Sequence, residues 1–177
     1  MQIWNSSTES YRETTKVYGK SLTVPQLPEA LRRAFPVCTS TSTSEGLPAS
    51  HLAAVLKIIR ARIAAYLERF ERIPWRIYGS SLLVIYEGHL PTLEESLQST
   101  TEGLECELEL DEDDVGGDHE DDGEEEERKY ACTVKAIDFA HAWDAQESQD
   151  GDAGYTEGLR TLLRLVEGRL EEVQQAL

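Results

Sequence analysis

The 177-residue sequence holds one methionine, three cysteines and three phenylalanines, and it has no long apolar run. The cysteines, Cys38, Cys106 and Cys132, are odd in number and far apart. That pattern excludes a disulfide framework and any zinc-type ligand spacing, and it favours a reducing intracellular setting, cytoplasm or nucleus. No stretch approaches the roughly 18 consecutive apolar residues of a membrane helix, so no membrane partner is expected. Met1-Gln2-Ile3-Trp4-Asn5 has neither the basic region nor the apolar region of a secretory leader. No glycine-rich phosphate loop and no G-x-x-x-x-G-K-[ST] signature occurs.

Basic residues are also scarce, 17 against 34 acids, for a formal charge of −17. Of those acids 15 fall between Glu105 and Glu127, which contains no Lys or Arg, leaving 19 acids against 17 bases elsewhere. The acidity therefore belongs to one insert. Residues 105–127 cannot bury enough apolar surface to offset their ordering entropy, and their charges repel one another, so the segment reads as disordered. It would repel nucleic acid, while either a docking role for basic nuclear proteins or a solvated loop insertion suits it. The D-x-D-x-D-G spacing of a calcium loop is missing.

What is present reads as one α+β unit. Met1 to Gly19 suggests a hairpin, with Ile3 and Trp4 in one strand and Tyr11 to Tyr18 in the other. Val24 to Phe35 predicts a short helix halted by Pro36, and 38–46 is a Ser/Thr-rich loop. His51 to Glu71 carries an apolar stripe through Leu52, Val55, Leu56, Ile59, Ile63, Tyr66, Leu67 and Phe70, with Ser50 placed as its cap. Arg60, Arg62, Arg69 and Arg72 flank it as solvated surface. Trp75 to Glu87 predicts a strand with a bulge at Gly79 and an apolar centre, Leu82–Ile85, buried on both faces. Leu90 to Gln98 reads as a weak helix. The strands around Tyr86 and Ala131–Ile137 can pair across the insert. Tyr155 to Leu177 predicts a closing helix with Leu159, Leu162, Leu163, Val166, Leu170 and Val173 inward and Asp152 as N-cap. Gly154 and Gly158 suit the opening of that helix and its approach to the strands.

Asp138 is the leading candidate for chemistry. An acid at the end of an apolar strand has a fixed backbone and is free to hold a magnesium ion; capping the next turn is the other reading. His141 follows within one turn and is a candidate for anionic substrate, or else for a hydrogen bond within its loop. Ser80 and Ser81 precede the strand centre, and alternation sends only one of them to a cleft, the other to core or backbone.

Three segments, Gly79-Ser80-Ser81-Leu82-Leu83, Ile137-Asp138-Phe139-Ala140-His141 and Gly154-Tyr155-Thr156-Glu157-Gly158-Leu159, together resemble the later part of the inositol polyphosphate kinase family, multikinase-like branch. The resemblance spans nearly the whole sequence. It implies an α+β C-terminal lobe with an antiparallel-rich sheet flanked by two main helices, and a monomer. It also implies ATP-dependent, Mg²⁺-assisted phosphorylation of an inositol phosphate. Asp138 would hold the metal, Ser81 would support the phosphates of ATP, and His141 would face the inositol phosphate. The family's P-x-x-x-D-x-K-x-G motif and nucleotide-binding N-terminal lobe do not occur in the sequence, so the chain alone is expected to have little or no kinase activity. The rival expectation is a non-catalytic interaction protein that binds basic nuclear proteins through 105–127.

Overall fold

The computed structural model describes residues 1–5, 8–38, 45–103, 130–139, 141–144 and 152–177. The acidic segment 105–127 and residues 39–44 of the Ser/Thr-rich loop lie outside the described residues. The first element is the expected hairpin: β1 (Gln2–Asn5) pairs antiparallel with β2 (Ser10–Glu13). Trp4 and Tyr11, directly opposite, meet edge-on with ring centroids 5.1 Å apart. The second strand is shorter than its composition suggests. The pairing closes where Thr14 N–H donates to the Met1 carbonyl at 2.8 Å, and Lys16–Ser21 forms α1 instead. Among the described residues no partner strand faces this stretch, so its β-type composition is overruled.

A 3₁₀ turn over Val24–Gln26 leads into α2 (Leu27–Ala34), which stops before Pro36 as expected. The main helix, α3 (Ala49–Phe70), follows the predicted stripe. Its N-cap is Pro48 and not Ser50: Pro48 holds extended backbone, and the helix begins directly after it. Ser50 lies inside the first turn, its hydroxyl 3.3 Å from His51 Nδ1.

Trp75 to Glu87 is not one strand. Gly79 adopts φ +75°, a left-handed conformation that suits glycine, and it divides the run into β3 (Trp75–Ile77) and β4 (Ser81–Tyr86). The two halves take different partners. β4 pairs antiparallel with β5 (Cys132–Ile137), the neighbour expected across the insert, and β3 pairs antiparallel with β6 (Ala142–Asp144). Among the described residues the antiparallel pairing is thus spread over three two-stranded ribbons and not gathered in one sheet. The helix between β4 and β5, α4 (Leu90–Gly103), runs past the expected end at Gln98. The chain closes with α5 (Ala153–Gln175).

The core sits between α3 and α5. Leu52, Val55, Leu56, Ile59 and Ile63 are fully enclosed, and Val166, Leu170 and Val173 of α5, Leu93 of α4 and Cys132 of β5 belong to the same cluster. Each such side chain contributes about 1.5–3 kcal/mol by leaving water. At the rim of the helix pair Arg60 meets Glu167 at 2.8 Å and Arg160 meets Glu71 at 2.6 Å. These are surface pairs of small energetic weight.

Two expectations are corrected by the packing. The centre of β4 is covered on one face only: Leu82, Val84 and Tyr86 pack on the core, whereas Leu83 is 40% exposed and Ile85 55%. An unbroken apolar run does not reveal whether a second layer exists, and here none covers that face among the described residues. Gly158 is not a close-approach position either, because a Cβ there would meet nothing within 4 Å.

Candidate functional site

β5 delivers its last residue, Ile137, opposite Ser81 at the start of β4. Directly opposed residues share a face, and both are exposed. The next residue, Asp138, is exposed and has φ +72°, in the left-handed region that Asp tolerates better than most side chains. Strain of this kind gathers at functional sites when the surroundings enforce it.

The surroundings here are two hydrogen bonds that bracket the residue. Ser80 Oγ donates to the Ile137 carbonyl at 3.0 Å. Tyr78 N–H donates to the His141 carbonyl at 3.0 Å. Ala142 N–H, just past the bracket, donates back to the Phe139 carbonyl at 3.1 Å. Asp138 is therefore held from both sides by the corner joining β3 to β4, the corner that Gly79 turns.

Ser81 points outward and Ser80 meets a neighbouring backbone, as the alternation of a strand requires. His141 is exposed on the same loop, its ring 6.5 Å from that of Tyr78, centroid to centroid. Among the described residues no cluster of three His, Cys, Asp or Glu stands ready to hold a metal. A lone exposed carboxylate fits magnesium's habit of using one or two carboxylates together with phosphates. The outward face beside it is apolar, formed by Leu83, Ile85 and Ile137, with Lys135 across from Leu83.

Asp152 does more than the predicted cap. Its Oδ1 accepts from Tyr155 N–H at 2.9 Å, capping α5, and its Oδ2 accepts from Ile77 N–H of β3 at 3.0 Å. It lines a groove of about 1050 Å³ between the β3–β6 ribbon and the start of α5, together with Arg76, Tyr78, Trp143 and Arg160. Asp138, Ser81 and His141 do not line that groove. The Tyr78 grip and the second bond of Asp152 were missed at the level of sequence. Both depend on backbone N–H groups, which carry no residue-type signal.

The comparisons with known proteins decide the family. The family model described as inositol polyphosphate kinase matches residues 1–167. This chain belongs to the inositol polyphosphate kinase family. It is 31% identical to inositol hexakisphosphate kinase 2 of Rattus norvegicus, covering 97% of this chain and 39% of that protein. Inositol hexakisphosphate kinase 3 of Mus musculus is 27% identical, with 99% of this chain and 37% of the relative covered. Among solved structures, the inositol phosphate multikinase Ipk2 of S. cerevisiae, in complex with ADP and Mn²⁺, aligns with a TM-score of 0.58. The sequence identity is 22%, over 95% of this chain and 55% of that one. A second inositol phosphate multikinase structure aligns with a TM-score of 0.56 at 15% identity, over 94% of this chain and 58% of the other. The chain thus spans well under half the length of the curated relatives it matches. The fold is mixed helix with small antiparallel sheets, and it matches somewhat more than half of each multikinase structure.

Proposed function

We propose that this chain supplies the divalent-cation side of an inositol polyphosphate kinase site, for ATP-dependent phosphorylation of an inositol phosphate, in the multikinase-like branch. The observation that carries the reading is Asp138, exposed, left-handed and bracketed by Ser80 and Tyr78. Asp138 would hold Mg²⁺. A bound magnesium ion neutralises charge on the phosphates during transfer. Ser81 lies on the same outward face and offers a hydroxyl to the phosphate region, while Leu83, Ile85 and Ile137 offer an apolar floor to a nucleotide base. His141 would meet the phosphorylated inositol, an anion suited to imidazole.

Positioning of both reactants dominates phosphoryl transfer. The P-x-x-x-D-x-K-x-G segment is absent from the sequence, so turnover by this chain alone should be slight or nil. The test is incubation with ATP, Mg²⁺ and inositol tris- or tetrakisphosphates, with and without Asp138→Asn. Any turnover must vanish in the variant, and turnover unchanged by it would overturn the assignment. The charge of 105–127 favours a second reading, a non-catalytic protein that binds basic nuclear partners. Inactivity together with salt-sensitive binding to such proteins would support it.

A further inference from the structure

We infer that Asp152 is a positioning residue for the Asp138 loop, beyond its role as a helix cap; its consequence for metal binding rests on the reading proposed above. In an antiparallel ribbon successive N–H groups point to opposite edges. Tyr78 N–H faces β6, where it meets the His141 carbonyl. Ile77 N–H, one residue earlier, therefore leaves the ribbon on the edge away from β6, and Ile77 is 5% exposed. A buried backbone donor demands an acceptor, and among the described residues no strand supplies one on that edge. The Asp152 carboxylate does, at 3.0 Å, while its other oxygen caps α5 at 2.9 Å.

One side chain thus joins the long core helix to the ribbon whose next residues grip Asp138. From Ile77 the path is short: Tyr78 holds the His141 carbonyl, Gly79 turns, and Ser80 holds the Ile137 carbonyl. Only a carboxylate has two acceptor oxygens for two N–H groups. Serine caps a helix well but is too short to span to β3. The two roles are separable by substitution.

The experiment compares the full chain with Asp152→Ser, Asp152→Asn and Asp152→Ala by NMR amide exchange, backbone shifts, thermal midpoint and Mn²⁺-ADP titration. In Asp152→Ser Tyr155 exchange should stay near that of the unsubstituted chain, while Ile77 exchange accelerates at least about tenfold, the loss of a charged hydrogen bond, and the thermal midpoint falls by a few degrees. The shifts of Ile137, Asp138 and His141 should move, and Mn²⁺-ADP binding should weaken several-fold. Asp152→Ala should show the same changes with faster Tyr155 exchange as well and a thermal midpoint lower than that of the serine variant. Asp152→Asn, isosteric and still a competent cap, gives the same discrimination if the serine variant does not fold. Unchanged Ile77 exchange or unmoved Asp138-loop shifts in the serine or asparagine variant would reduce Asp152 to a cap and overturn the inference. If the unsubstituted chain does not bind Mn²⁺-ADP, the kinase reading fails, and the exchange and shift data still decide the positioning role.

Discussion

Replacing Asp138 should uncouple stability from metal binding. The residue sits at φ +72°. An L-residue in that region costs about 1–2 kcal/mol, least for Asp and Asn, whose short polar side chains bond locally. Glycine removes the steric cost but adds about 0.5–1 kcal/mol of freedom to the unfolded chain. Asp138→Gly should therefore fall within about 1 kcal/mol of the unsubstituted chain, on the stabilised side, and Asp138→Asn should be neutral. Asp138→Val, β-branched and without a polar group, should lose about 1–2 kcal/mol. Each kcal/mol moves the thermal midpoint by about 2–4 °C in a chain of this size. The assay is calorimetry of the three variants beside Mn²⁺-ADP titration. All three should bind the metal nucleotide at least tenfold more weakly, whatever their stability. A glycine variant destabilised by more than about 1 kcal/mol, or a valine variant as stable as Asp, would refute the claim that the loop is held in a strained conformation for its carboxylate.

Ile59 is fully buried between α3 and α5, so Ile59→Ala should cost about 2–5 kcal/mol in urea unfolding; a loss under 1 kcal/mol would mean the helix pair is not the core. Tyr86 donates its hydroxyl to the Ala34 carbonyl at 3.0 Å, and burial pushes its pKa up to about 12. Tyr86→Phe should cost about 0.5–1.5 kcal/mol at neutral pH. Because the folded value lies above the unfolded one, the tyrosine's contribution is intact below about pH 10 and fades as pH rises toward 12. The gap between the two proteins should narrow over that window, and a constant gap would refute the burial. Hydrogen bonds from Arg32, then from Arg169, hold the Glu172 carboxyl below its ordinary 4.5. That stabilisation is present above 4.5 and lost as pH falls through the depressed value, so any urea-midpoint deficit of Glu172→Gln at pH 7 should close in acid. A deficit that does not shrink at all as the pH is lowered below 4.5 would exclude the linkage.

Periodicity made the helices legible. Leu52, Val55, Leu56, Ile59 and Ile63 recur at steps of three and four, and the structure buries all five. Asp152 before Ala153-Gly154-Tyr155 announced its cap in the same local way. The strands were less legible. Leu82-Leu83-Val84-Ile85 records hydrophobicity and not the number of layers that cover it, so the exposed face of β4 could not be read from it. Gly79 was visible as an irregularity, but whether it bulges a strand or ends one depends on partners more than 50 residues away. At the candidate site, the side chains that stand out by type, Asp138, Ser81 and His141, are all exposed. The grips on the Ile137 and His141 carbonyls and the reach of Asp152 to Ile77 were hidden, because each ends on a backbone group brought close by long-range pairing.

The central claim is that Asp138 presents the carboxylate of a divalent-cation site. Titrating the full chain with Mn²⁺ and ADP while recording paramagnetic broadening tests it directly. Broadening should centre on Ile137, Asp138 and Phe139, reach Ser81, and disappear in Asp138→Asn. Broadening centred elsewhere, or unchanged in the variant, would contradict the account.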